Sequence, residues 1–213
     1  MTRDGLVYIV DDDTSVRRAL GQLIRTIGLE SQAFPSAQAF LDHALPDRPC
    51  CLVLDLRLPG PSGLDLQSAL LKRPRTIPII FISGHGDVPI TARAMKGGAI
   101  DFLSKPFNDQ DLLDAVQRAL AKDRLARVEA AERAVIERHV ATLTPRERQV
   151  MMLVVRGLLN KQIAAELGAA EKTIKIHRGR MMQKMAAGSV AELVRMTEKA
   201  GLSADVEPRV SRG

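Results

Sequence analysis

Five short apolar runs recur through the first 120 residues, and each is followed by a stretch with helical spacing. The runs cover residues 6–10, 31–34, 51–54, 77–82 and 101–103. Between them, apolar side chains recur three or four positions apart. Val16, Leu20, Leu23, Ile24 and Ile27 form the first such series, followed by Phe40, Leu41 and Ala44. Then come Leu64, Leu66, Leu70 and Leu71, next Ile90, Ala94 and Met95, and last Leu112, Leu113, Val116 and Leu120. This alternation leaves few folds open. Strands separated by whole helices do not pair as hairpins; they lie parallel, with the helices packed on the sheet. Nearly continuous apolar runs fit strands buried on both sides. The expectation is an α/β unit with a five-stranded parallel sheet and helices on both faces.

In an open parallel sheet, ligands bind beyond the carboxyl ends of the strands. Asp11 and Asp12 end the first run, Asp55 the third and Ser83 the fourth, and Lys105 follows the fifth. Three carboxylates, a hydroxyl and an amine therefore converge on one edge. The first run leads straight into Asp11-Asp12-Asp13, and adjacent carboxylates repel. Burying one without a partner is costly. A hard cation such as Mg²⁺ (or Mn²⁺) would offset that cost, held by Asp11, Asp12 and Asp55. A carboxylate beside a metal, a lysine and a hydroxyl suit phosphoryl transfer, with Asp55 on a central strand as the nucleophile. Asp13 is expected to cap the next helix. His85, between two glycines, reads as an exposed structural residue and not as a base.

Beyond residue 108 the pattern changes. Residues 108–141 contain no Gly or Pro and are dominated by charges and alanine, which reads as one long helix or two abutting ones. Leu125, Val128, Val135 and Ile136 do not form clean heptads. Four short helices then follow in about 60 residues. Thr144, Pro145 and Glu147 spell a capping box with Pro at the first helical position, and Ser189 with Glu192 repeats the device. The segment "LNKQIAAELGAAEKTIKIHRGRMMQKM" has the form helix, glycine turn, helix. In its second helix, Ile174, His177, Met181 and Met185 share one face and should pack inward. Lys172, Lys175, Ile176, Gly179, Arg180 and Gln183 share the opposite face, which is cationic and free to enter a major groove. Arg178 and Lys184 flank it, within reach of phosphates.

Charge supports that division. Residues 1–120 hold 13 Lys/Arg against 14 Asp/Glu, while residues 121–213 hold 18 against 11. A basic half fits a polyanionic partner. With no Trp and one Tyr, stacking on single-stranded bases is a poor fit. No stretch approaches the roughly 18 apolar residues of a membrane span, and the first residues lack a secretory layout. Cys50 and Cys51 are adjacent, so neither a disulfide nor a zinc site is expected.

The motifs "VDDD", "DLRLPGPSG", "ISGHGD" and "FLSKPF" together resemble a response-regulator receiver domain over residues 4–122. The motif "LTPRERQV…G..NKQIAAELG…KTIKIHR…M..KM" resembles the LuxR-type helix-turn-helix of the NarL/FixJ family over residues 141–200. The resemblance implies a flavodoxin-like receiver fold, a helical linker over 123–140, a four-helix DNA-binding domain and a tail at 201–213. By position it implies Asp55 as phosphoacceptor. Asp11, Asp12, Asp55 and the carbonyl of Arg57 become Mg²⁺ ligands, Ser83 and Lys105 contact phosphate, and Phe102 is the aromatic switch. It also implies a frequently cis Lys105-Pro106 bond. DNA contacts fall on Lys172, Lys175, Ile176, Gly179 and Arg180. A sensor histidine kinase, double-stranded DNA and a second copy on phosphorylation are the implied partners, in the cytoplasm and without a membrane. Two departures stand out. Ala170 sits where a Ser or Thr usually caps the second helix, and Gly179 occupies its middle. Control by protein contact without phosphorylation is the alternative reading. A phosphatase of the haloacid-dehalogenase type is disfavoured, because its second Asp would fall on Arg57. An autoinducer-sensing regulator is disfavoured by the phosphate-site pattern.

Overall fold

The computed structural model describes residues 4–84 and 88–202; His85 and residues 203–213 lie outside the described residues. The described chain divides into two compact units between Arg127 and Val128. The first contains β1 (Leu6–Val10), α1 (Thr14–Thr26), β2 (Glu30–Phe34), α2 (Ala37–Leu41), β3 (Cys50–Asp55), α3 (Gly63–Leu71), β4 (Ile79–Ser83), α4 (Val88–Lys96) and β5 (Asp101–Ser104). The long helix α5 (Asp109–Ala141) begins in the first unit and ends in the second, where α6 (Pro145–Val155), α7 (Asn160–Glu166), α8 (Glu171–Lys184) and α9 (Val190–Lys199) follow. β4 starts at Ile79, two residues later than the apolar run, because Pro78 has no N–H for the ladder; its carbonyl instead accepts from Leu52.

All strand pairs are parallel, in the order β2-β1-β3-β4-β5. Side chains alternate across the sheet, so a continuous apolar run serves two cores. Leu6, Tyr8, Val10, Leu52, Leu54 and Phe81 face one core, which Phe40, Leu66, Leu70 and Ala94 of α2, α3 and α4 complete. Val7, Ile9, Val53, Ile80 and Ile82 face the other, completed by Leu20 and Ile24 of α1 and Leu112, Val116 and Leu120 of α5. Cys50 and Cys51 are free thiols, buried one on each side. Burial pushes the Cys50 thiol up to about 11 and Cys51 further, so both stay protonated and inert.

The second unit closes on a separate core of Ile136, Val140, Val150, Met151, Val154, Ile163, Ile174, Met181, Met185 and Leu193. Ile136 and Val140 come from α5, so the last turns of that helix belong to this unit. Thr144 caps α6 in a full capping box with Glu147. Ser189 caps α9, but Glu192 accepts from Gly188 N–H and not from Ser189, so the expected second box is only half formed. Gly157 and Gly168 adopt positive φ where α6 and α7 end, a conformation that costs glycine little. Among the described residues no helix is long and apolar enough to cross a membrane.

Candidate functional site

The register of the sheet builds the acidic pocket. Val10 pairs with Leu54, so Asp11 and Asp55 leave neighbouring strands at the same level. Ser83 pairs with Ser104, which brings Lys105 to the same edge; its N–H donates to the Ser83 carbonyl at 2.7 Å. Lys105 Nζ then reaches back across the edge. It donates to Asp11 Oδ2 at 2.8 Å and to Asp55 Oδ1 at 2.9 Å. The peptide bond after it, Lys105-Pro106, is cis. Asp11, Asp55 and Ser83 are buried, while Lys105 is partly exposed.

Each carboxylate has a second tether. Asp13 N–H donates to Asp11 Oδ1, and Arg57 N–H donates to Asp55 Oδ2, both at 2.8 Å. Burial raises the Asp55 carboxyl above its ordinary range, although Lys105 pulls the other way. Burial alone would lower the Lys105 ammonium, but its bonds to Asp11 and Asp55 outweigh that and hold it above the usual lysine value. Two buried carboxylates thus share one ammonium, which leaves the pocket net negative.

The remaining expected residues are placed less uniformly. Asp13 is the cap of α1, its Oδ1 accepting from Ser15 and Val16 N–H. Asp12 is exposed. Among the described residues, no three acidic, His or Cys side chains stand close enough to enclose a cation. Of the three carboxylates expected at this edge, Asp11 and Asp55 are bonded to Lys105, and Asp12 is the exposed neighbour of Asp11 in the chain. Phe102 is half-buried and stacks on Phe81 with ring centroids 6.2 Å apart. Sequence reasoning missed Arg17, whose guanidinium grips the carbonyls of Asp11 and Asp12. The only sequence signal was an arginine one helical turn past the acidic run.

In the second unit, α7, the turn at Gly168 and α8 form the helix-turn-helix. Ile174, Met181 and Met185 are buried, as their helical phase requires, and His177 is half-buried among them. Lys172, Lys175, Ile176, Gly179 and Arg180 are all exposed. Ala170 provides no side-chain cap to α8. The two flanking cations differ. Arg178 donates to Asn160 Oδ1 at 3.0 Å, which ties α8 to α7. Lys184 is drawn inward: its Nζ donates to the buried Glu147 Oε2 at 2.6 Å and to the Thr142 carbonyl at 3.2 Å. An otherwise unpaired buried carboxylate would be expensive, so this lysine is a structural counter-ion and not a free phosphate contact. His139 Nδ1, the donor here, bonds the Met185 carbonyl at the end of α8 at 3.2 Å.

Comparison with known proteins agrees with both units. Residues 7–117 match the response regulator receiver domain, and residues 141–197 match the bacterial regulatory proteins of the luxR family. Nodulation protein W of Bradyrhizobium diazoefficiens is 56% identical over 200 residues, covering 94% of this chain and 88% of that protein. Transcriptional regulatory protein FixJ of the same organism is 42% identical over 206 residues, covering 96% and 100%. Among solved structures, response regulator StyR is 48% identical with a TM-score of 0.79, covering 92% of this chain and 100% of that one. The chain belongs to the two-component response regulators of the NarL/FixJ family, DNA-binding transcription regulators and not enzymes.

Proposed function

We propose that the chain receives a phosphoryl group on Asp55 from a sensor histidine kinase and, so modified, binds double-stranded DNA through α8 as a dimer in the cytoplasm. The observation that carries this reading is the Lys105 ammonium bonded to both Asp11 and Asp55 at the carboxyl edge of the sheet. An Asp55 oxygen is the nucleophile that attacks phosphorus, and the donor's phosphorus–nitrogen bond breaks as the acyl phosphate forms. Lys105 stands ready to pair with the oxygens of the arriving group, and Ser83, buried at the end of β4, lies on the same edge to donate to them. The charge balance suits a divalent cation: two buried carboxylates and the adjacent Asp12 outnumber the one ammonium, and Arg57 N–H donates to Asp55. Asp11, Asp12, Asp55 and the Arg57 carbonyl would hold Mg²⁺, which when bound neutralises phosphoryl oxygens. In the second unit, Lys172, Lys175, Ile176, Gly179 and Arg180 form the face for the major groove, with Arg178 braced beside it. Phe102, stacked on Phe81, serves as the switch that registers the added charge.

Intact mass after incubation with a small phosphodonor tests the pocket. The wild type should gain one phosphoryl group only with Mg²⁺ present, and Asp55→Asn should gain none. A gain that survives in Asp55→Asn would move the acceptor elsewhere.

A further inference from the structure

We propose that Arg17 is a positioning residue for the cation at the acidic edge: it sets the directions of Asp11 and Asp12 by holding their main chain. The inference rests on the reading of those two residues as cation ligands. Arg17 Nη1 donates to the Asp11 carbonyl at 2.7 Å and to the Asp12 carbonyl at 2.8 Å, while Nη2 donates to Thr14 Oγ1 at 2.8 Å. A guanidinium four residues past Asp13 sits among Asp11, Asp12 and Asp13, where a carboxylate partner is the obvious choice. Yet among the described residues it forms no ion pair with any of them. Its donors go to two consecutive carbonyls instead.

That choice has a geometric consequence. A peptide group is planar, so a carbonyl held in place also fixes the N–H on its other side and limits the φ and ψ rotations between. Holding the carbonyls of residues 11 and 12 fixes the two peptide planes that flank Asp12, the first of which also follows Asp11. The side chains then leave the loop in set directions. Asp11 has further tethers through Asp13 N–H and Lys105. The exposed Asp12 has none of these, so its direction depends most on Arg17. Arg17 itself starts in the first turn of α1, whose cap is Asp13, and Thr14 locks its second nitrogen. The planar fork is what allows one side chain to serve both carbonyls and the hydroxyl; a lysine carries the charge but not the fork.

Charge and position act on cation affinity with opposite sign, which makes the inference testable. A guanidinium that acted only as a charge would repel Mg²⁺, so its removal would tighten binding. A guanidinium that positions ligands strengthens binding, and its removal weakens it, by about 10-fold or more for ligand-orienting groups. Calorimetric titration of the full-length chain with Mg²⁺ should show that weakening in both Arg17→Lys and Arg17→Gln, and a smaller one in Thr14→Val. Phosphorylation should show a split: the Mg²⁺ needed for half-maximal rate rises in Arg17→Lys, while the rate at saturating Mg²⁺ is retained. A merely structural role would lower both. Wild-type affinity in Arg17→Lys, or tighter binding in Arg17→Gln, overturns the proposal while the pocket stands. Failure of the wild type to bind Mg²⁺ overturns the reading of the pocket and this inference together. Should Arg17→Gln unfold, Arg17→Lys and Thr14→Val still decide.

Discussion

At the residue scale, Asp55 holds its charge where burial disfavours it. Its carboxyl is raised, so the folded chain holds a proton there more tightly than the unfolded chain does. Stability from this group is accordingly greatest at acid pH and falls as pH rises from the ordinary carboxylate value through the raised folded one. Asp55→Asn removes that cost and keeps an oxygen to accept from Arg57 N–H. In chelator, at neutral pH, the variant should be more stable than the wild type and melt at a higher temperature. A melt that shifts downward would mean that the Lys105–Asp55 pair outweighs the burial cost. Asp11, Asp55, Ser83 and Lys105 were legible because position at a strand end needs only the apolar pattern. Arg17 and the Arg57 N–H were not, since they act through the orientation of peptide planes in loops, on which hydrophobic periodicity is silent. Lys184 illustrates the opposite error. Its helical phase places it beside the cationic face, but a buried carboxylate on another helix claims it.

At the scale of the element, α8 carries two local weaknesses that the sequence declared openly. Ala170 leaves its first turn uncapped, and Gly179 interrupts its middle. A Cβ at Gly179 would meet nothing within 4 Å, so that position is open. Gly179→Ala should stabilise the second unit by about 1 kcal/mol and Ala170→Ser by a similar amount. Thermal melts of the single and double variants check this, and the two gains should add because the sites are far apart along the helix. The position of α8 relies on α6. Glu147 is held down to about 2 from 4.5, chiefly by Lys184 and then by Thr144. A depressed carboxylate contributes stability that is present above its unfolded value and lost as pH falls through its folded value. The second unit should therefore weaken between about pH 4.5 and 2, and Glu147→Gln should be less stable at neutral pH with a flatter acid limb. Chemical denaturation across that range measures it. An acid limb as steep in Glu147→Gln as in the wild type would assign the loss to other carboxylates.

At the scale of the whole molecule, the division into an α/β half and a helical half was legible from the change of period after residue 108 and from the basic C-terminal charge. The boundary between the units within α5 was harder to read. Residues 123–127, assigned to the linker from sequence, are bonded to the first unit. The buried Asp123 accepts from Cys50 N–H at 2.9 Å and pairs with Arg75 at 3.3 Å, and Arg127 pairs with Asp47. In a helix rich in charge, nothing in the sequence marks Asp123 as the one that turns inward. At the other end, Ile136 and Val140 join the second core.

The central claim is that charge on Asp55 governs what α8 does, and one binding measurement tests it. Duplexes that bind the phosphorylated full-length chain would first be selected from a random pool. Affinity for one of them would then be measured at fixed salt with Mg²⁺, with and without phosphodonor, for the wild type and Asp55→Asn. The account predicts that donor tightens binding at least tenfold in the wild type and leaves Asp55→Asn unchanged, about 1.4 kcal/mol or more of coupling. Equal affinity in all four conditions would contradict it, and would leave a DNA-binding protein whose receiver half does not control it through Asp55.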